Sequence, residues 1–180
     1  DGKFLLQIGR RGQSKGSADT ANLNNAADMW VHPATNEVFV ADGYINRRVA
    51  VFDADSGKYK RHWGAYGKRP DDSVKLTRNT GGPAPEQFNL VHDVQSSNDD
   101  LVYVADRSNN RIQVFRPDGS FVREAFVARE VGTPTGTVVT MAFSPDKEQR
   151  FLYVTSGDQK IRILDRQSLQ VLSSVGRLGH

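Results

Sequence analysis

The chain has 180 residues, of which 37% are hydrophobic and 25% charged, with a net charge of +3. That composition excludes a disordered chain and a helical membrane protein, because no apolar run approaches the roughly 18 residues a membrane helix needs. There is no cysteine, so disulfides, thiolate zinc sites and cysteine nucleophiles are excluded, while the compartment stays open.

The opening residues 1–9, "DGKFLLQIG", have no long apolar core and no cleavage site, so they are not a signal peptide. They read as the outermost strand of a preceding unit. Four short alternating or β-branched runs follow at Met29–His32, Glu37–Ala41, Arg48–Phe52 and Tyr59–Trp63. Next comes a Pro-, Gly- and charge-rich segment, "KRPDDSVKLTRNTGGPAPEQF", which reads as a long surface loop. A second set of runs covers Asp93–Ser96, Leu101–Ala105, Arg111–Arg116 and Phe121–Phe126. A third covers Val138–Phe143, Phe151–Thr155, Lys160–Leu164 and Val171–Val175. Turn chemistry separates the runs in "DADSGK", "RPDG" and "SPDKEQ", and no segment carries a helical period.

The three sets are one sentence repeated. "VFVADGYINRRVAVFD" returns as "VYVADRSNNRIQVFR" and, more loosely, as "LYVTSGDQKIRILDR". Ala41 matches Ala105 and Ala105 matches Thr155, intervals of 64 and 50 residues. Four-stranded antiparallel units repeating at that spacing predict an all-β chain of propeller blades over residues 28–64, 92–126 and 137–176. Within each blade, Asp42 and Asp106 are expected to accept N–H bonds from their own turns. Asn46 and Asn110 suit left-handed positions, and Arg48 and Arg111 could bind the Asp or the turn carbonyls. Ser156 replaces the Asp in the third copy, which predicts a looser turn there.

In such a blade the start of strand 1 and the loop between strands 2 and 3 share one face. That face would gather Tyr44, His92 and Arg107, which could respectively move a proton, bind a metal and hold a carboxylate. His92 has no histidine counterpart in the flanking units, where Ala27 and Thr140 stand. His32 is expected at the opposite end of its blade, His62 in an outer strand, and His180 outside any ligand position. The stretch Lys58 to Arg69, "KYKRHWGAYGKR", reads as a solvated strand edge in preference to a nucleic-acid surface. No phosphate-cradling glycine loop and no serine-nucleophile motif is present.

"VADRSNNRIQVF" resembles the NHL repeat. Together with "VFVADGYINRRVAVFD", "PEQFNLVHDV" and "LVYVADRSNNRIQVFRPDGSFVREAF", the chain resembles the peptidyl-α-hydroxyglycine α-amidating lyases, zinc propellers that release glyoxylate and a peptide amide. The resemblance implies three blades of a six-bladed ring. It further implies a catalytic Tyr44, an active-site Arg107, and His92 as one of three zinc-ligand histidines, the other two lying outside these residues. It also implies a small-molecule or peptide substrate and a secreted or periplasmic setting. Val91 stands where that family usually has proline. A structural calcium ion is a further expectation for a propeller, although Asp71–Asp72 and Asp99–Asp100 read as solvated turn residues. A non-catalytic NHL propeller that binds a protein, peptide or RNA is the alternative, and fold alone does not separate the two.

Overall fold

The computed structural model describes residues 2–177. Twelve strands form three four-stranded antiparallel sheets, each a meander in chain order. The first holds β1 (Asp28–His32), β2 (Glu37–Asp42), β3 (Arg48–Asp53) and β4 (Tyr59–Trp63). The second holds β5 (Val91–Ser96), β6 (Val102–Asp106), β7 (Arg111–Phe115) and β8 (Phe121–Phe126). The third holds β9 (Met141–Phe143), β10 (Phe151–Thr155), β11 (Ile161–Asp165) and β12 (Val171–Val175). These bounds match the sequence runs to within a residue or two, except that the last inner strand begins at Met141 and not Val138.

The period-2 alternation decides how the sheets stack. In the first sheet, Phe39, Ala41, Val49 and Val51 face the second sheet, where they pack with Val91, Val94, Val104 and Phe115. Tyr103, Ala105, Ile112 and Val114 face the other way and pack with Met141, Leu152, Val154 and Leu164 of the third sheet. Each interface is therefore a dry layer with a sheet on either side. The inner strands β1, β5 and β9 run beside one another, tied by Trp30 Nε1–H to Ser96 Oγ at 2.8 Å and Gln95 Nε2–H to the Met141 carbonyl at 2.6 Å. The outward face of the third sheet stays open, and that of the first sheet is open along β1. Met29, Val31, Ile161, Val171, Leu172 and Val175 are all exposed there.

Residues 2–8 form no strand, so the expected outer strand over residues 1–9 is not made. Ile8 packs instead, with Leu23, against the cluster of Val38, Val40, Ala50 and Phe52 on the first sheet's outer face. Residues 2–7 are exposed and only Ile8 of this stretch is partly buried.

The repeated Asp is a bolt within each of the first two blades. Asp42 and Arg48 are fully buried and joined at 2.8 Å, as are Asp106 and Arg111 at 2.7 Å. Neither carboxylate caps its own turn as expected. Asp42 Oδ1 accepts the Asn24 N–H at 2.8 Å, and Asp106 Oδ1 accepts the Asn89 N–H at 2.7 Å. Both donors lie on the segment entering the blade, so the 2–3 loop is locked to the chain arriving ahead of strand 1. Arg48 completes the lock on the Ser17, Asp19 and Asn22 carbonyls. The same inward role falls to Asn46 and Asn109, each donating to its Asp at 2.7 Å. Asn109, and not Asn110, is thus the partner of Asn46, because the first loop is one residue longer. Asn110 is left-handed as expected, whereas Asn46 is not. In the third blade the turn is not loose: Asp158 takes over, held by Arg162 in a two-pronged pair at 2.9 and 2.6 Å.

Removing one partner of a fully buried pair strands the other charge, at a cost of roughly 3–5 kcal/mol. Arg111→Ala should therefore lose about that much stability in urea unfolding. Arg162→Ala, whose Asp158 partner is less buried and can rehydrate, should lose clearly less. Equal losses would refute the bolt.

Candidate functional site

Tyr44 and His92 meet across the boundary between the first two sheets. Tyr44 Oη lies 3.2 Å from His92 Nε2, with the rings edge to face at 5.7 Å. Tyr44 sits on the β2–β3 loop and is about half exposed, at 49%. Gly43 makes this approach possible. A Cβ at Gly43 would collide with the backbone N and O of Val91, so only glycine lets the loop lie against the start of β5. The "DGY" motif thus contains its own reason: glycine brings the loop in and tyrosine reaches the neighbouring blade.

His92 is aimed by a bulge. The β5–β6 register shifts between Val91 and Asp93, leaving His92 as the extra residue, and a bulge re-aims the side chain it carries. Leu90, two residues earlier, holds φ 71, a costly conformation for a leucine. It turns the Leu90 carbonyl to accept the Arg107 N–H at 3.1 Å. On its far side, the His92 ring places Nδ1 2.9 Å from the Val139 carbonyl. A carbonyl can only accept, so Nδ1 carries the proton and Nε2 presents its lone pair toward Tyr44. Burial depresses the His92 pKa below the usual histidine value; the Val139 bond opposes this and the Arg107 charge adds to it. The ring is a neutral acceptor at neutral pH.

Arg107 stands on the next loop, opening the short 3-10 turn Arg107–Asn109. Its Nε–H is fixed on the Thr135 carbonyl. Gly136 packs so closely that a Cβ there would strike the Arg107 carbonyl. Tyr44 and His92 are in direct contact, and Arg107 is beside them through the Leu90 bond and its field at His92.

A histidine fixed through Nδ1 on a carbonyl is oriented as a metal-ligating imidazole is, with Nε2 here facing Tyr44 Oη at 3.2 Å. Among the described residues no group of three or more His, Asp or Glu could hold a metal ion. The acidic pairs considered for calcium are engaged elsewhere. Asp72 accepts the Ser17 N–H at 2.7 Å and Asp99 binds Arg166 at 2.7 Å. His32 is buried at the far end of β1, with Nδ1 3.0 Å from Thr35 Oγ1 and Nε2 3.4 Å from Asp100. His62 Nδ1 pairs with Tyr59 Oη at 2.7 Å. His180 lies outside the described residues. In the basic stretch, Lys60 and Arg61 converge on Glu37 and Lys68 pairs with Glu86.

Sequence reasoning missed the acid pair beside the histidine. Asp28 and Asp93 occupy equivalent inner-strand positions, facing Ala41 and Ala105. Asp93 is buried, its Oδ2 accepts the Met141 N–H, and its Oδ1 has no partner while ionised. Burial first, and then the neighbouring Asp28, push the Asp93 carboxyl up to about 7. A proton on Oδ1 turns it into a donor toward Asp28. The signal was present as an Asp in "ADMW" and again in "VHDV".

The stacked four-stranded meanders define the class as a β-propeller. U3-55K superposes with a TM-score of 0.58 at 16% identity, covering 86% of this chain and 39% of that one. The RRP9 WD40 repeats give 0.56 with the same coverage. Within that class the chain carries an NHL repeat, matched by residues 88–115, the segment holding His92 and Arg107. Peptidylglycine alpha-amidating monooxygenase of Rattus norvegicus is 37% identical over 122 residues, 67% of this chain and 11% of that protein. The Xenopus laevis B form is 34% identical, over 67% of this chain and 12% of its own. NHL repeat-containing protein 3 of Homo sapiens is 27% identical over 65% of this chain and 29% of its own. The chain is related to the amidating enzymes and spans about a tenth of their length.

Gly43→Ala should cost about 1–3 kcal/mol, the scale of overpacking, whereas Gly81→Ala, with open space around it, should be neutral in the same urea titration. For Asp93, a native pKa above the unfolded value means the native state holds more protons between about pH 4 and 7. Its contribution is complete below that window and fades as pH rises through it, by up to roughly 1.4 kcal/mol per pH unit. Asp93→Asn, a fixed mimic of the protonated acid, should be more stable than the parent at pH 8 and nearly equal to it at pH 4. A constant difference across that range would disprove the shared proton.

Proposed function

We propose that this chain belongs to a six-bladed amidating-lyase propeller that cleaves a peptidyl-α-hydroxyglycine. The observation that supports this is the Tyr44–His92 contact across the sheet boundary, at 3.2 Å, in a chain 37% identical to an amidating enzyme. Tyr44 acts as general base on the α-hydroxyl group. With its own phenol proton first released to solvent, Tyr44 Oη takes the hydroxyl proton, the O–H electron pair becomes the second bond of the new carbonyl, and the C–N bond breaks. The amide nitrogen then takes that proton back from Tyr44 Oη, giving a peptide amide and glyoxylate. Arg107, its Nε pinned, turns its remaining N–H groups toward the substrate carboxylate. His92 offers Nε2 as one zinc ligand, and zinc when bound would polarise the substrate oxygen. Two further ligands would come from outside the described residues.

A non-catalytic propeller that binds a peptide or protein is the second reading. It is favoured by the likeness to NHL repeat-containing protein 3. RNA fits less well, since much of the basic stretch is neutralised within the chain.

Glyoxylate release by the full-length, zinc-loaded protein separates the two. Tyr44→Phe should retain zinc and lose turnover by roughly 10²-fold or more. His92→Ala should lose zinc on dialysis. No glyoxylate above background from the parent protein would leave the binding propeller as the better account.

A further inference from the structure

The segment inserted between β4 and β5 is tied down at its base and at its tip, by different blades. At the base the Asp71 N–H donates to Gln87 Oε1 at 2.9 Å. The Gln87 carbonyl accepts Asn109 Nδ2–H at 3.0 Å and Arg111 Nη2–H at 3.3 Å, so the base is fixed to the Asp106–Arg111 bolt. The tip is held through Asn79, all four of whose polar groups are engaged. Its N–H donates to the Ser108 carbonyl at 3.1 Å, its carbonyl accepts Asn110 Nδ2–H at 2.6 Å, its Nδ2–H donates to the Pro83 carbonyl at 3.3 Å, and its Oδ1 accepts Arg129 Nε–H. Arg129 comes from the segment entering the third blade and stacks on Phe126 at 4.1 Å. Its Nη2–H also reaches the Gly81 and Pro83 carbonyls at 2.8 and 3.1 Å.

Little apolar burial backs these bonds. Residues 71–75, 77, 78 and 80–83 are exposed. A cavity of about 170 Å³ is lined by Val74 and Leu76 of one limb and Pro85 of the other. A segment held by polar pins over a cavity opens locally at far lower cost than the fold as a whole, because water can take over its exposed hydrogen bonds. Opening has a defined consequence for the site. Ser108, which the Asn79 N–H holds, directly follows Arg107. Arg78 donates to the Pro134 carbonyl, and the next carbonyl, that of Thr135, anchors Arg107 Nε–H. The insertion therefore grips the Arg107 loop and the segment on which Arg107 rests.

We propose that residues 71–87 form a latched strap, hinged at the Asp71–Gln87 bond and locked by Asn79 and Arg129, which holds the Arg107 loop when shut and frees it when open. Arg129 is the latch, because one guanidinium joins both limbs of the tip to the third blade. The strap rests on the lyase reading only for what Arg107 does to a substrate. Its test needs no turnover.

Hydrogen exchange of the full-length protein, followed by NMR at backbone amides and arginine Nε–H groups, tests the strap. In the parent, the Asn79 N–H should exchange through an opening that is insensitive to low urea, since little surface is exposed by it. The β6 amides should exchange faster as urea is added. Arg129→Gln should speed Asn79 exchange by roughly 10-fold or more, the scale of losing a charge-assisted hydrogen bond. Exchange of Arg107 Nε–H should rise with it, while the β6 amides stay as in the parent. Arg129→Lys keeps the charge but lacks the fork that spans both limbs, so it should match Arg129→Gln. Arg116→Gln, at an exposed position outside the bonds of the strap, should change nothing. An Asn79 N–H that follows the β6 amides in urea, or that Arg129→Gln leaves unmoved, would overturn the latch. Faster Asn79 exchange with Arg107 Nε–H unchanged would overturn its hold on the site. The same exchange pattern in a protein that releases no glyoxylate would sink the lyase reading and keep the strap.

Discussion

A fully buried charge pair is the constraint on which the site depends. Asp42–Arg48 and Asp106–Arg111 each join a 2–3 loop to the chain entering the same blade. Burial pushes the Asp106 carboxyl up, and it is held down by Arg111 and by N–H groups of Asn89 and Asn109. Such a pair contributes little net stability against a hydrophobic replacement, but it fails badly when half of it is removed. What it contributes is geometry: every residue of the candidate site lies within a few positions of one of these bolts. Tyr44 is two residues after Asp42, and Arg107 directly follows Asp106. His92 is three residues after Asn89, whose N–H Asp106 holds.

The strands were legible because each is short, alternating and bounded by turn residues, so period and punctuation agree. The turns were legible in composition and not in partner. A carboxylate at a strand end has local N–H groups to bind, and sequence reasoning favours them. The structure gives Asp42 and Asp106 a more distant donor, because the entering segment would otherwise leave its own N–H groups buried and unpaired. The third blade shows the converse. Ser156 removed the expected carboxylate, yet Asp158, two positions on, restores the pair with Arg162. Residues 1–9 read in the sequence as the outermost strand of a preceding unit, whereas residues 2–8 form no strand.

Tyr44, His92 and Arg107 stood out in the sequence because each is one residue type at one position. Legibility was lost where meaning comes from two segments far apart. Asp28 and Asp93 meet because inner strands run side by side, and the inserted loop folds back so that the Asn79 N–H reaches the Ser108 carbonyl. Neither fact is local to its own stretch of chain. Gly43 lies between these cases: its place before Tyr44 was visible, while its reason is the backbone of Val91 on another sheet.

The bulge at His92 has a mechanical side as well. Tyr44 belongs to the first sheet, His92 to the second, and the Val139 carbonyl lies at the entry to the third. One imidazole therefore bridges three sheets through its two nitrogens, in series. Sheets that pack through apolar layers are stiff, and this ring is one of the polar links between them, beside Trp30–Ser96 and Gln95–Met141. Lengthening the Val139 link frees the ring to rotate, and lengthening the Tyr44 link leaves the phenol proton without its acceptor. The imidazole acts as a gauge of sheet spacing, reading in proton affinity what the apolar layers set in ångströms.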